Sequence, residues 1–147
     1  VVADYECPYV LTHSRGNSIS MDSLTNYQDV VFDIKKEISI QIDLALSSGI
    51  KNKQIIIDPG IGFAKNVNQN LALLRNIEEF VLMEYPVLVG ASRKRFIGSV
   101  INESDPLKRI FGTAAVASRC VMAGVKFLRV HDIKEICQVI KMTKSII

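Results

Sequence analysis

Four short runs hold most of the residues able to do chemistry: Thr12 to Gly16 (THSRG), Asp58 to Phe63 (DPGIGF), Gly90 to Phe96 (GASRKRF) and Arg129 to Asp132 (RVHD). Asp58 follows three β-branched residues, Ile55-Ile56-Ile57, so it stands at the mouth of a core. A carboxylate with little water around it needs donors, and an ionised one accepts two parallel N–H bonds. An amidine-like or guanidine-like ligand edge supplies that geometry. Pro59 and Gly60 turn the chain, Gly62 lets backbone come close, and Phe63 offers a wall for a planar ligand. Arg129 and His131 lie two apart, so in a strand they share one face. Together they make a cationic clamp suited to phosphate. Gly90 ends an apolar run, and Ser92, Arg93, Lys94 and Arg95 follow at once. Taken singly, each has a plainer reading: a turn aspartate, a surface histidine, a solvated basic loop.

Their placement along the chain favours the joint reading. Tyr9-Val10-Leu11, Ile55-Ile56-Ile57, Val87-Val89 and Val125-Leu128 read as buried strands. Helical spacing of apolar residues predicts helices over Asp29–Ser48, Gln69–Glu84, Gly112–Ala123 and from Ile133 onward. Gly49 and Gly124 are placed to stop the first and third of these. The order is strand, loop, helix, four times over, which implies a parallel sheet with right-handed crossovers. Strand ends fall near His13, Asp58, Gly90 and Val130. In α/β folds that edge is where ligands bind. His13, Arg15, Asp58, Lys65, Ser92, Arg93, Lys94, Arg129 and His131 are therefore expected to converge. An open doubly wound sheet and part of a (β/α)8 barrel both fit, and 147 residues fall well short of the roughly 250 of a whole barrel.

Composition sets the class. Hydrophobic content of 48% with 22% charged residues marks a globular chain rather than a disordered one. A net charge of +3 is too mild to argue for nucleic acid and is compatible with a small anionic ligand. Cys7, Cys120 and Cys137 form no zinc or disulfide pattern, and read as thiols in a reducing compartment. No apolar run approaches the roughly 18 residues of a membrane span, and no signal-peptide layout opens the chain. The chain starts mid-pattern without Met, as a fragment or processed piece would. A GxxxxGK[ST] phosphate loop, a GxSxG elbow and zinc spacing are all absent.

The runs THSRG, IIIDPGIGFAKN, LVGASRKRFIG, GTAAVA and LRVHDIKE come in the order and approximate spacing of the dihydropteroate synthase family. Over essentially all 147 residues the chain resembles the C-terminal half of that enzyme, in the eukaryotic form found within larger, multifunctional folate-synthesis polypeptides. The resemblance implies an α/β fold of parallel (β/α) units, strands 5 to 8 of a (β/α)8 TIM barrel, as a single unit over residues 1–147. It implies a magnesium-assisted transferase of folate biosynthesis that joins 4-aminobenzoate to the diphosphate ester of 6-hydroxymethyl-7,8-dihydropterin, and that sulfonamides inhibit by competing with the aminobenzoate.

Carried over residue by residue, Asp58 matches the carboxylate that bonds the pterin, and Lys94 the lysine that bonds it. Arg129 and His131 match the pair near the pterin ring and diphosphate. Phe63, Ser92 and Arg93 match positions lining the aminobenzoate site, and Gly90 joins the substrate-binding set. Lys65 fits the pattern without a role. No metal ligand is expected among these residues, because the family's metal-binding asparagine belongs to its N-terminal half. The resemblance further implies a homodimer at full length, a cytoplasmic or mitochondrial location, and no nucleic-acid or membrane partner. A fragment of this extent is expected to be inactive alone, with open sheet edges and an exposed apolar face. Thr12 stands where the family usually has Met, and Ala64 where it has Gly. The alternatives are a pterin-binding methyltransferase domain and a half-barrel that only binds or assembles.

Overall fold

The computed structural model describes residues Val1–Ile147. A short helix α1 (Val2–Tyr5) leads to strand β1 (Tyr9–Thr12). Then come α2 (Val30–Ser47), β2 (Ile55–Asp58), α3 (Val67–Arg75), α4 (Glu78–Val81), β3 (Leu88–Val89), α5 (Arg95–Ile101), α6 (Ile110–Met122), β4 (Phe127–Leu128) and α7 (Ile133–Ile146). β1 pairs with β2 in parallel from Tyr9↔Ile55 to Thr12↔Asp58. β3 pairs with β4 at Leu88↔Phe127 and Val89↔Leu128. A parallel bridge, Ile57↔Val87, joins the two pairs. The spatial order is thus the chain order, with no reversal. Parallel strands advancing in one direction through right-handed crossovers put every helix on the same side. This is how a (β/α) barrel winds, and a doubly wound sheet would need a switch point.

The helix side of the sheet holds the core. Leu11, Ile55, Ile57, Val87 and Val89 are buried against Ile34, Ile38 and Ile42 of α2, Leu73 and Leu74 of α3, and Phe80 of α4. Alternation then sends Val10, Ile56, Leu88 and Phe127 to the opposite face. There they form an apolar row across four strands, in which Val10 is 36% and Phe127 46% exposed. Thr12 and Asp58 share that face at the strand ends, paired across β1 and β2.

Local chemistry explains most helix limits. Asp29 caps α2 by accepting from the amides of Val31 and Phe32. Asn66 and Gln69 form a capping box at α3. One expectation needs correction. The single helix over Gln69–Glu84 is two: Asn76 leaves helical geometry at φ −112° and ψ 30°, with its backbone N–H and its side-chain amide both donating to the Ala72 carbonyl. The break lets Ile77 and Phe80 both enter the core. The basic run after Gly90 leads into α5, a helix that the apolar spacing did not predict. Phe96 and Ile97 bury one face of that helix, and Asn102 ends it in the left-handed conformation at φ 55°.

Candidate functional site

Asp58 ends β2 and is 1% exposed. Its Oδ1 accepts the Gly60 amide at 2.8 Å, and its Oδ2 accepts the Thr12 hydroxyl at 3.3 Å. The Arg129 Nη2 stands 3.8 Å from the same Oδ2. Burial raises the Asp58 carboxyl above the usual aspartate range, against the Gly60 amide, Arg129, Lys94 and Thr12. The carboxylate thus lies in a poorly solvated spot with loosely held partners, where further donors have most to offer.

Two glycines clear room for the cations around it. A Cβ on Gly90 would come within 2.7 Å of the Arg129 guanidinium, and one on Gly62 within 2.6 Å of the Lys94 Cδ. Lys94 donates to the Ile61 carbonyl and sets its Nζ 4.0 Å from the Phe63 ring centroid. Burial lowers Lys94 to about 8, while Asp58 pulls it back up and Arg129 lowers it further.

The expected strand-face pairing of Arg129 and His131 needs correction. The ladder ends at Leu128, Arg129 N–H makes a last bond to the Val89 carbonyl, and His131 lies in a bend. What turns His131 is Ser92, whose hydroxyl accepts the His131 amide at 3.2 Å and stands 3.0 Å from His131 Nδ1. The Ser92 hydroxyl has a proton to give and a second lone pair to accept with, so it fixes the orientation of the His131 ring in either tautomer. Arg93 is held at φ 61° with its guanidinium on Asp132. Asp132 is kept below the usual carboxylate range by that contact. The adjacent acid is therefore spent on Arg93 and not on Arg129 or His131. A cavity of about 610 Å³ opens beside Phe63 and Lys94, with Arg93, Arg95 and Gly62 in its lining.

Asp58, Arg129 and Gly90 thus meet at the strand ends, Lys94 with Phe63 stands between them and the cavity, and Ser92, close to Gly90 in the chain, holds His131. His13 and Arg15 are elsewhere: they turn to Glu37 of α2, and His13 is fully buried. Asn70 and Arg109 carry no mark in the sequence, while Lys65 and Thr12, already part of the quoted runs, gain partners here. Lys65 and Asn70 are buried under the loop after β2. Asn70 accepts the Gly62 amide at 2.6 Å and donates to the Lys65 carbonyl at 3.2 Å. Thr12 bonds Asp58, a contact Met could not make. Arg109, 7% exposed, donates to the carbonyls of Arg93 and Glu103. Arg109 stands in the polar run DPLKR ahead of the Ala-rich helix, where nothing in the sequence marks it as buried.

The site can grip a flat ligand by its N–H edge at Asp58, with cations of Lys94 and Arg129 beside it. It carries surplus positive charge for an anionic group. Metal binding does not follow from these residues: no three His, Cys, Asp or Glu side chains come together. No helix is long and apolar enough to cross a membrane.

A family profile described as "Pterin binding enzyme" matches residues 1–131. The chain is 41% identical over 146 residues to the dihydropteroate synthase of Synechocystis sp., covering 99% of this chain and 50% of that protein. It is 38% identical to the folic acid synthesis protein fol1 of Pneumocystis carinii, covering 99% of this chain and 20% of that one. Crystal structures of dihydropteroate synthase from Thermus thermophilus superpose with TM-scores of 0.94 in complex with 4-aminobenzoate and 0.93 in complex with 6HMPPP. Both are 36% identical and cover 99% of this chain, and 56% and 57% of theirs. The chain spans about half the length of the Synechocystis relative.

Proposed function

The chain belongs to the pterin-binding enzyme family, and from that premise we propose that it is the C-terminal half, strands 5 to 8, of a dihydropteroate synthase barrel. The reaction joins (7,8-dihydropterin-6-yl)methyl diphosphate to 4-aminobenzoate, giving 7,8-dihydropteroate and diphosphate. The observation that carries the proposal is the buried Asp58 carboxylate, with Arg129 reaching it over Gly90 and Lys94 seated against Gly62 on the loop that follows. The apolar row Val10, Ile56, Leu88 and Phe127 is the face that the other half of the barrel covers.

Asp58 accepts the N–H edge of the pterin ring, and Lys94 donates to the ring from the other side. The bond between the methylene carbon and the diphosphate oxygen breaks, and the electron pair leaves with diphosphate. Arg129 and His131 face that developing charge and lower its cost. The aminobenzoate nitrogen then attacks the cationic methylene and releases a proton. Phe63, Ser92 and Arg93 border the aminobenzoate side. No side chain acts as a covalent nucleophile, so this chain contributes orientation and electrostatics. Magnesium would add charge on the leaving diphosphate. The residues here do not fit such an ion by themselves, and the proposal assigns its ligands to the other half of the barrel. A homodimer and a cytoplasmic or mitochondrial location belong to the same proposal.

The test supplies both substrates to the longest polypeptide that contains these residues, and to its Lys94→Ala variant. Dihydropteroate from the parent and a much reduced rate in the variant are expected. No product from the parent would sink the enzyme reading in favour of a binding-only half-barrel, and an undiminished Lys94→Ala rate would sink the site assignment.

A further inference from the structure

Lys65 has no task in the proposed reaction, yet its surroundings are those of a placed residue. It is 8% exposed. Its Nζ lies 2.7 Å from the Phe63 carbonyl oxygen, 3.0 Å from that of Gly60 and 3.0 Å from His13 Nδ1. In its charged form, which burial limits to pH below about 7, the amine has three donors, and each meets one acceptor here. His13 Nε2 stands 2.9 Å from Glu37 Oε2. Arg15 holds the Glu37 carboxyl below its usual range, so Glu37 accepts. Nε2 is therefore the protonated nitrogen of His13, and Nδ1 is free to accept from Lys65. A continuous line of bonds runs from Glu37 on α2, through the end of β1, into the loop after β2.

That loop needs a tie. Gly60, Gly62 and Ala64 all have positive φ, at 68°, 82° and 49°, so the chain coils between Asp58 and Lys65 outside any helix or strand. Lys65 gathers the carbonyls of Gly60 and Phe63 at the centre of the coil. On its outer side the same coil presents the Ile61 carbonyl and the Phe63 ring to Lys94. The Asp58 backbone is fixed differently, by pairing with Thr12 in the strand ladder, and its carboxylate takes a single bond from the coil, at the Gly60 amide.

We infer that Lys65 is a positioning residue: oriented by His13, its ammonium ties the Gly60 and Phe63 carbonyls together and so sets the Phe63 wall against Lys94. The identity of the ligand at that wall, 4-aminobenzoate, rests on the proposed function; the tie itself does not.

The experiment compares Lys65→Met, Lys65→Arg, His13→Leu and the double variant His13→Leu/Lys65→Met in the longest polypeptide that contains these residues. It measures steady-state kinetics with both substrates and amide hydrogen exchange over residues 59–66. A displaced wall is expected to raise KM for 4-aminobenzoate about tenfold or more in Lys65→Met. KM for the pterin diphosphate and kcat are expected to stay within about threefold. Exchange should speed up in 59–66 and not in β2. The double variant should be no worse than Lys65→Met, because both changes break one line of bonds. If Lys65→Met does not fold, Lys65→Arg, which keeps the charge but not the three-point fit, must show the same KM split. Equal rises in both KM values, or unchanged exchange in 59–66, would overturn the inference. If the parent polypeptide makes no dihydropteroate, the proposed function fails by itself, and the exchange arm still decides the tie.

Discussion

Arg129, at the end of β4, reaches across β3 to stand 3.8 Å from Asp58 on β2, and it passes over Gly90 to do so. The two residues come from strands that are not neighbours, so the contact exists only because β3 is followed by a residue without a side chain. A Cβ at Gly90 would meet Arg129 Nη2 at 2.7 Å and Nε at 3.0 Å. The Arg129 side chain is 58% exposed and free to swing away. Gly90→Ala is therefore expected to leave stability within about 0.5 kcal/mol, as for an unstrained site with a yielding neighbour. Pterin affinity should fall about tenfold, some 1.4 kcal/mol. Calorimetric melting and a pterin titration check the two halves. Unchanged affinity would mean that Arg129 makes no use of its place beside Asp58.

Asp58 itself gives a pair of linked outcomes. Asp58→Asn keeps the shape but replaces one acceptor oxygen by a donor, so a charge-assisted pair to the ligand is lost, worth about 1.5–3 kcal/mol. Stability should not suffer. The Asp58 carboxyl titrates above its unfolded value, so the native state binds the extra proton in that window and stability falls as pH rises through it. Asp58→Asn removes that slope. Thr12→Val should act oppositely: without the hydroxyl that bonds Oδ2, the Asp58 carboxyl rises further, and the acid limb of pterin binding moves to higher pH. Titrations of binding against pH for the three proteins are the measurement.

The site was legible where chemistry sits at the end of an apolar run. Asp58 and Arg129 follow such runs directly, Phe63 and Lys94 stand in the loops just beyond, and four parallel strands bring their ends to one edge. The arc was legible as alternating strands and helices, but sequence left a barrel and a doubly wound sheet equally open. Only the strand order, β1 to β4 without reversal, separates them. What could not be read were contacts made through tertiary placement. The sequence distance from Lys65 to His13 is 52 residues, and from Arg93 to Asp132 it is 39. His13 looked like a site residue because it follows β1; its partner Glu37 lies on the helix side, so it became a buried strut. Ala64 carries its own record of strain, since a side chain at φ 49° costs about 1–2 kcal/mol. That explains why glycine would suit the position.

Function and stability should part company above pH 8. Burial lowers Lys94 to about 8 and Lys65 to about 7. Each folded value lies below the unfolded lysine value of 10.5. From there up to about 10.5 the unfolded chain holds protons that the native one has lost, so stability rises with pH. Over the same range Lys94 loses the charge with which it bonds the pterin. Ligand affinity is therefore expected to fall above pH 8 while the denaturant midpoint climbs. Lys94→Met should abolish the affinity limb and flatten part of the stability slope. Parallel changes in both quantities for the unaltered chain would contradict the assignment.

His13 reverses the sense on the acid side. It is fully buried, and burial with the nearby Lys65 charge lowers it from 6.5 to about 4, with Glu37 only partly opposing. Between those values the unfolded chain binds a proton that the native ring refuses, so stability is full above pH 6.5 and is lost as pH falls toward 4. The span corresponds to a loss on the order of 3 kcal/mol. Glu37, held low by Arg15 and His13, adds its own loss below the ordinary glutamate range, so the two windows separate. His13→Leu should flatten the upper window. It should also cost about 1–3 kcal/mol at pH 7, because Glu37 loses a donor and Lys65 an acceptor in a buried setting. Urea unfolding at intervals from pH 4 to 7 distinguishes the cases. Stability that stays flat across 6.5 to 4 in the unaltered chain would mean that His13 takes its proton inside the fold, with the bond to Lys65 already broken.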